Sequence, residues 1–252
     1  MKIKPILFGT PMVQAILEDR KTQTRRILKP QPISLDDSCG ENPSLLGKSN
    51  GKPAVQCNSL QKVITSPYGM KGDILWVRET IRIGAWDLEN GVMAFDYKAS
   101  PELINTPWNL MQEPWFEQEV IKIADELSAK GINPDKNGHY QWEAGQSPLK
   151  WKPSIFMPKA ACRIFLEVTN VRVGRLNDIS ENDAIAEGVL KHSDFGSTGY
   201  ILYTEPEAAY TDIDAVYSFE SLWESINGKE SWEANPWVWV YDFKRVDKPE
   251  NF

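Results

Sequence analysis

A lysine, a threonine and a glutamate in this chain have side chains that can together carry out acid–base and nucleophilic chemistry. A lysine in a dry pocket loses proton affinity and can act as a base, and a threonine hydroxyl beside it can become a nucleophile. Lys21 and Thr24 lie close together in the chain, and Glu187, near the end of a predicted helix, can accept a proton or orient a ligand. The alternative is structural: Lys21 is solvated, Thr24 occupies a strand position and Glu187 is an exposed helical residue. Spacing alone favours this alternative.

The densest run of basic residues in the chain surrounds Lys21. It comprises Arg20, Lys21, Arg25, Arg26 and Lys29. Such a cluster concentrates positive potential where an anionic ligand can dock, and arginine binds phosphate through two parallel hydrogen bonds. Arg20, Arg25 and Arg26 are therefore candidate ligand-binding residues. The alternative is a solvated face that pairs with the preceding acidic residues Glu18 and Asp19, which is the more usual role of a basic run.

Arg78 and Glu79 are a further pair of charged candidates. They are consecutive in a predicted strand, so their side chains point to opposite faces and one of them faces the interior or a cleft. A buried charge needs a partner. We include both residues among the candidate ligand-binding residues, with purely structural pairing as the alternative.

The composition restricts the classes of function. The chain has 252 residues and a formal net charge of −7, so it is not expected to coat duplex DNA or an anionic membrane, although a local basic patch can still bind nucleic acid. The chain has only two histidines, and its three cysteines form no C-x-x-C motif. We therefore predict neither a metal site nor a cofactor. The number of cysteines is odd, which argues against a disulfide framework and favours a reducing compartment. No apolar segment is long enough for a signal peptide or a membrane span, so we predict a cytoplasmic protein.

The periodicity of the sequence predicts an α+β fold with few, aromatic and widely separated strands. Predicted strands cover residues 5–8, 74–80, 93–97, 161–175 and 237–246. The strand at 93–97 is predicted to pair with the strand at 74–80. Predicted helices cover residues 10–19, 117–130, 180–188 and 219–228. The apolar side chains of 161–175 change parity near Asn170, which predicts a β-bulge there.

Two irregular regions interrupt this pattern, at approximately residues 30–67 and 99–150. The first is rich in proline, glycine, serine and asparagine and is expected to be a long loop. A further loop is expected at 191–215. We therefore predict a single domain over residues 1–252, built on a small mixed β-barrel flanked by short helices and carrying two long insertions.

Several segments, taken in order, resemble the ASCH family of the PUA-like superfamily and together cover roughly half of the chain. They are Asp19-Arg20-Lys21-Thr22-Gln23-Thr24-Arg25, close to the family pattern G-x-K-T-x-T-x-R; Lys71-Gly72-Asp73-Ile74-Leu75-Trp76-Val77, like K-x-G-D-x-L-x-V; Glu167-Val168-Thr169-Asn170-Val171; and Val238-Trp239-Val240-Tyr241-Asp242-Phe243. Two further segments, Trp151-Lys152-Pro153-Ser154-Ile155 and Trp223-Glu224-Ser225-Ile226-Asn227, look like the larger ASCH proteins of phages and prophages.

The resemblance implies a PUA-like barrel with a cleft that binds RNA or a nucleoside. Some family members are amidohydrolases that deacylate a modified cytidine, and this chain has Lys21, Thr24 and Glu187 at the matching positions. The resemblance thus implies Thr24 as nucleophile, Lys21 as its base and Glu187 as proton carrier or ligand anchor. One departure is Asp19, which replaces the family's usual glycine and can repel phosphate or pair with Arg20.

The leading hypothesis is therefore an RNA- or nucleoside-binding domain that hydrolyses an amide on an N-acylated cytidine-type base. One alternative is a non-catalytic nucleic-acid reader, and another is a ribonuclease, because other family members are thought to cleave RNA. A third is a phage-encoded protein that binds and modulates a host factor through the two insertions. Whether Lys21, Thr24 and Glu187 converge in space is a question of geometry.

Overall fold

The computed structural model describes residues 1–31, 45–49, 52–57, 62–100, 107–191, 199–205 and 213–252, with only the backbone described at 45–49, 52–57 and 62. Strands in these residues are β1 (Ile3–Leu7), β2 (Gln23–Ile27), β3 (Leu45–Ser49), β4 (Lys52–Cys57), β5 (Lys62–Thr65), β6 (Ile74–Arg78), β7 (Ile81–Asp87), β8 (Val92–Tyr97), β9 (Asn109–Leu110), β10 (Phe165–Arg175) and β11 (Trp237–Val246). Helices are α1 (Thr10–Leu17), α2 (Trp115–Ala129), α3 (Glu181–Ala186) and α4 (Ala215–Asn227). The α+β class is confirmed.

The chain divides into two compact units. The first comprises residues 1–5, 15–76 and 164–252, and the second comprises residues 6–14 and 77–163. The prediction of one ASCH-like domain with two insertions stays a prediction. Among the described helices, none combines the length and the apolar character that crossing a bilayer requires.

The main sheet has five strands in the order β1-β6-β10-β11-β2. Strands β10 and β11 form a long antiparallel pair whose register shifts between Val168 and Asn170. This shift confirms the bulge predicted from the change of parity. Within the described residues the sheet begins at β1 and ends at β2 without a pairing that closes it, so the predicted barrel stays a prediction.

Helices α3 and α4 cover one face of β11 in the first unit. Ser180 accepts a hydrogen bond from the backbone N–H of Asp183 and caps the start of α3, the helix predicted at 180–188. Asp214 caps α4 in the same way through the N–H of Tyr217. The apolar side of α4 joins a cluster of buried side chains that includes Leu176, Ala184, Phe219, Trp223, Val238 and Val240. This cluster fixes α3 against the sheet beside β2.

The expectation of a long loop at 30–67 was wrong for part of that region. Strands β3, β4 and β5 form a three-stranded antiparallel sheet there. The composition concealed these strands because the region is rich in residues that usually mark turns. The rest of the predicted insertion lies largely outside the described residues, at 32–44, 50–51 and 58–61.

The second unit contains a small antiparallel sheet in the order β7-β8-β9 and the helix α2. The prediction that β8 is a neighbour of β6 was wrong, because β8 pairs with β7 and β9. Strand β7 was not predicted; it follows β6 after two residues and takes the place beside β8 that the prediction gave to β6. The helix predicted at 117–130 is confirmed as α2, which buries Phe116, Ile123 and Leu127.

Candidate functional site

The segment that carries Lys21 is a tight connection between α1 and β2. Asp19 adopts a left-handed backbone conformation (φ 57°), and the N–H groups of Arg20 and Lys21 both donate to the carbonyl of Ala15. The next residue, Thr22, donates its N–H to Ala186 at the end of α3, at 2.8 Å. These bonds fix Lys21 between the end of α1 and the end of α3.

Strand β2 lies at the edge of the main sheet and pairs with β11. Side chains alternate between the two faces of a strand. Gln23 and Arg25 therefore share the face that α3 and α4 cover, whereas Thr24 and Arg26 share the opposite face with Tyr241, the partner of Thr24 across the sheet.

Lys21 and Glu187 form a buried ion pair. The Nζ atom of Lys21 lies 2.7 Å from Oε2 of Glu187 and also donates to the Glu187 backbone carbonyl at 2.8 Å. The exposed fractions of the two side chains are 1% and 4%. The structural alternative, a solvated lysine and an exposed glutamate, is therefore wrong for both residues, and the sequence-predicted Lys21 and Glu187 are brought into direct contact.

Arg25 joins this pair from the strand. Its guanidinium donates to Oε1 of Glu187 at 3.1 Å and to Oδ2 of Asp183 at 3.1 Å, and it lies 5.7 Å from the centre of the Phe219 ring. Because each carboxylate oxygen of Glu187 accepts from a different cation, Glu187 holds Lys21 and Arg25 on either side of one buried negative charge.

A polar network continues from Arg25 towards solvent. Asp183 accepts from Arg25, from Gln23 at 3.0 Å and from Arg172 at 2.7 Å. Gln23 also donates to Asp242 at 2.7 Å. None of Asp183, Gln23, Arg172 and Asp242 was a predicted site residue. One signal was present: Asp183 precedes Glu187 by one helical turn, so the two carboxylates share a side of α3.

The pKa of Lys21 lies below its ordinary value. Burial of the ammonium group lowers this pKa most strongly, the nearby Glu187 carboxylate raises it, and the charges of Arg26 and Arg25 lower it further. A larger share of Lys21 is therefore neutral at a given pH than for a solvated lysine. A neutral amine is the form that can take up a proton during a reaction.

Thr24 is buried in β2, where it occupies the strand position foreseen for a β-branched residue. On its face of the strand, the Arg26 guanidinium lies 5.7 Å from the centre of the Tyr68 ring. Tyr68 contacts Tyr241 edge to face at 5.6 Å, and the Tyr241 hydroxyl lies 2.8 Å from the Ser66 hydroxyl. The hydrogen bonds described above connect Lys21, Glu187 and Arg25 and do not involve Thr24. The role of Thr24 as nucleophile therefore stays a prediction.

Arg20 lies at the surface and has structural partners. It pairs with Glu18 at 2.6 Å and donates to the backbone carbonyl of Gly188. Asp19, the departure from the family pattern, lies 3.5 Å from Arg245. The predicted surface pairing of Arg20 with Glu18 is thus present, and the ligand-binding role of Arg20 stays a prediction.

Arg78 and Glu79 have their contacts within the second unit. Arg78 donates to the carbonyl of Met157 at 3.0 Å and to that of Ile155. Glu79 is 1% exposed and accepts two hydrogen bonds from Arg163, at 2.8 and 2.9 Å. The Arg163 guanidinium also lies 4.1 Å from the centre of the Tyr97 ring. These contacts fit the structural alternative, and a ligand-binding role for either residue stays a prediction.

Among the described residues, no group of three or more His, Cys, Asp or Glu side chains is arranged to hold a metal ion. Cys162 is buried, whereas His192 and Cys39 lie outside the described residues. The site as described is thus a buried ionic cluster of Lys21, Arg25 and Glu187 that continues through the partly exposed Asp183 to Arg172. The chain matches no protein-family model, no curated protein and no solved structure in the comparisons made with known proteins.

Proposed function

We propose that this chain is an ASCH-like domain on a PUA-like barrel that binds a nucleoside or an RNA base and hydrolyses an amide on an N-acylated cytidine. The observation that carries the proposal is the buried contact between Lys21, whose pKa is lowered, and Glu187. Perturbed ionisable groups that are buried together are typical of catalytic sites, although structural ion pairs share this property. The order of the sequence motifs supports the family.

In the proposed reaction, the neutral Lys21 amine takes the proton of the Thr24 hydroxyl as its oxygen attacks the amide carbonyl carbon. The C–N bond then breaks, and the departing amino nitrogen of cytosine receives a proton through Lys21 and Glu187. Water hydrolyses the acyl ester left on Thr24 and releases a carboxylic acid. The reaction requires the Thr24 hydroxyl to approach Lys21, which lies in the connection just before the strand β2 that carries Thr24.

Arg26 and Tyr68 are the proposed recognition elements. The half-buried Tyr68 offers an aromatic ring against which a base can stack. The neighbouring Arg26 offers hydrogen-bond donors for a base carbonyl or a phosphate. Because Lys21 and Glu187 are almost fully enclosed, we infer that the substrate displaces part of the Arg26–Tyr68 contact when it binds.

The test is turnover of N4-acetylcytidine by the purified full-length chain, with release of cytidine followed by chromatography. We expect turnover that is lost in Lys21→Met and in Thr24→Ala. The matched control is Lys152→Met, because Lys152 pairs with the buried Glu119 in the second unit. If wild type and Lys21→Met release cytidine equally, or if the wild type releases none, the amidohydrolase proposal fails.

A non-catalytic reader is the second candidate function. It is favoured by the pairing of Glu187 with both Lys21 and Arg25, because buried charges that already have partners can serve as a purely structural support for a binding surface. Salt-sensitive binding of short RNA without hydrolysis of RNA or of N4-acetylcytidine would support it. RNA cleavage that Lys21→Met abolishes would instead point to a ribonuclease.

A further inference from the structure

The second unit contains a cleft that has no part in the proposed function. It has a volume of about 1100 Å³ and lies between the turn that joins β7 to β8 and the segment 137–144. We call it the aromatic cleft and define it by the lining residues Trp86, Asp87, Glu89, Trp108, Tyr140 and Trp142. This volume is large enough for a small ligand or for one side chain of a peptide.

Aromatic rings form the wall of the aromatic cleft. The ring centre of Trp86 lies 5.7 Å from that of Tyr140 and 5.8 Å from that of Trp142, with interplanar angles of 47° and 46°. These tilted rings do not stack flat against each other, and all three side chains are half-buried. Trp108 lines the same cleft and is 53% exposed. Exposed tryptophan at a concave surface is typical of a binding site.

The rings are held in place before any ligand arrives. The register of β7 and β8 shifts between Ile83 and Ala85, which leaves Gly84 in a bulge, and the Gly84 carbonyl accepts a hydrogen bond from the Trp142 indole at 2.7 Å. The loop before Tyr140 is fixed by Asp135, which accepts from the N–H groups of Asn137 and His139 at 2.8 and 2.9 Å. A preformed site loses little entropy when it binds a ligand.

The charge of the aromatic cleft is negative. Among the described residues that line it, Asp87 and Glu89 carry carboxylates, His139 carries an imidazole, and none is a lysine or an arginine. Hydrogen bonds from the side chain and backbone of Asn90 lower the pKa of Asp87, which favours its ionised form. Two carboxylates repel phosphate groups, so the charge disfavours a nucleic-acid backbone and favours a cation.

We propose that the aromatic cleft binds an organic cation, through its ammonium or guanidinium head group. The negative faces of the tryptophan and tyrosine rings attract such a head group, and the carboxylates add charge complementarity. The head group can belong to a free amine or to a lysine or arginine side chain of a basic peptide. This activity is separate from the proposed hydrolysis, because the residues that carry it lie in the second unit.

The first test is calorimetric titration of the full-length chain with choline and with 3,3-dimethylbutan-1-ol, its uncharged counterpart of the same shape. We expect choline to bind roughly tenfold or more tightly than the alcohol, since only the cation gains the ring and carboxylate attraction. A peptide with trimethyllysine and a peptide with arginine form further arms. Tighter binding of a peptide than of choline would identify a protein partner, and the reverse would identify a free amine.

Variants test whether the binding occurs in the cleft. Trp86→Leu is expected to abolish it, while Trp115→Leu, a half-buried tryptophan outside the cleft in the same unit, should leave it unchanged. Glu89→Lys reverses a charge at an exposed position and is expected to weaken binding by roughly tenfold without loss of structure. Equal affinity for choline and the alcohol, absence of binding by all the cations, or normal binding by Glu89→Lys would each overturn the proposal.

Discussion

Lys21 and Glu187 are 166 residues apart in the chain, yet Nζ of one lies 2.7 Å from Oε2 of the other. A backbone hydrogen bond from Thr22 to Ala186 runs beside this contact. The segment just before β2 is thus joined to the end of α3 by one ionic and one backbone interaction. The same contact carries the proposed chemistry and the local stability, so experiments must separate the two.

We expect Glu187→Gln to destabilise the protein more than Lys21→Met does. Loss of the carboxylate leaves two buried cations without their shared partner, at a cost of about 3 kcal/mol. Loss of the ammonium leaves Glu187 paired with Arg25, which limits the cost to about 1 kcal/mol. Urea unfolding of both variants measures the difference. Equal losses would show that Arg25 does not compensate for Lys21.

The pKa of Lys21 should fall further when Glu187 is neutralised. The carboxylate raises this pKa, whereas burial and the charges of Arg26 and Arg25 lower it, so removal of the carboxylate leaves only lowering influences. NMR titration of lysine Cε in wild type and in Glu187→Gln tests the sign. If Lys21 is the base, the pH at which the hydrolysis rate reaches half its maximum should lie below the ordinary lysine value of 10.5. A titration midpoint that moves to higher pH in Glu187→Gln would contradict the expected direction of the shift.

Gly188→Ala is expected to destabilise the protein because of steric contact. Gly188 has a φ of 87°, and a Cβ atom there would lie 2.7 Å from Cβ of Lys21 and 2.9 Å from Cβ of Ala15. We expect about 1 kcal/mol for the left-handed backbone and about 1–3 kcal/mol more for the overlap. Gly72→Ala is the matched control, because its φ is 86° and nothing lies within 4 Å of its added Cβ. Similar losses in the two variants would exclude the steric effect.

Stability should fall in acid partly through Asp183. Burial raises the pKa of Asp183, but hydrogen bonds from Arg172 and Gln23 and the charges of Arg172 and Arg25 outweigh it, so the pKa lies below its ordinary value. The ionised form therefore stabilises the folded state above the ordinary pKa, and this contribution is lost as the pH falls through the lowered value. Melting temperatures between about pH 2 and pH 6 should depend less on pH in Asp183→Asn than in wild type. The exposed Asp178→Asn is the control; an unchanged slope in Asp183→Asn would contradict the prediction.

Glu79→Gln should destabilise the second unit. Glu79 is buried and accepts two hydrogen bonds from Arg163, so its neutralisation leaves a guanidinium without its anion and costs about 3 kcal/mol. Glu117→Gln, at an exposed position of α2, should change stability by less than about 0.5 kcal/mol. Unfolding measured by circular dichroism compares the two. A small effect at Glu79 would leave ligand binding as the better explanation of that residue.

The sequence predicted those elements whose apolar pattern is strong and local. The final strand was predicted at its observed bounds, and the bulge in β10 was predicted from the parity of its side chains. Sequence pattern could not predict strand partners, so β8 was assigned to β6 although it pairs with β7. For the antiparallel pair β3 and β4, the sequence offered one signal that the prediction did not use, the dipeptide Asn-Gly at positions 50–51, which is common between paired strands.

The candidate site was predictable only in part. Lys21, Thr24 and Glu187 were selected by resemblance, because local spacing gave no reason to expect that residues 21 and 187 meet. Asp183, Arg172 and Asp242 were missed because their interactions depend on the packing of α3 against the sheet and on the bulge in β10. The spacing of residues in the sequence could not predict that the Lys21 side chain is buried. This burial distinguishes Lys21 from a solvated surface lysine.

The absence of a side chain at Gly188 limits how sequences of this architecture can diverge. Any descendant that keeps the lysine at position 21 enclosed must keep a glycine directly after the glutamate, because no other residue fits beside Lys21 and Ala15 at a positive φ. A descendant that loses the glycine must also move the helix end, because any other residue adds a Cβ atom that overlaps the Cβ atoms of Lys21 and Ala15. We therefore expect the glycine to persist in every descendant that keeps Glu187 in contact with position 21.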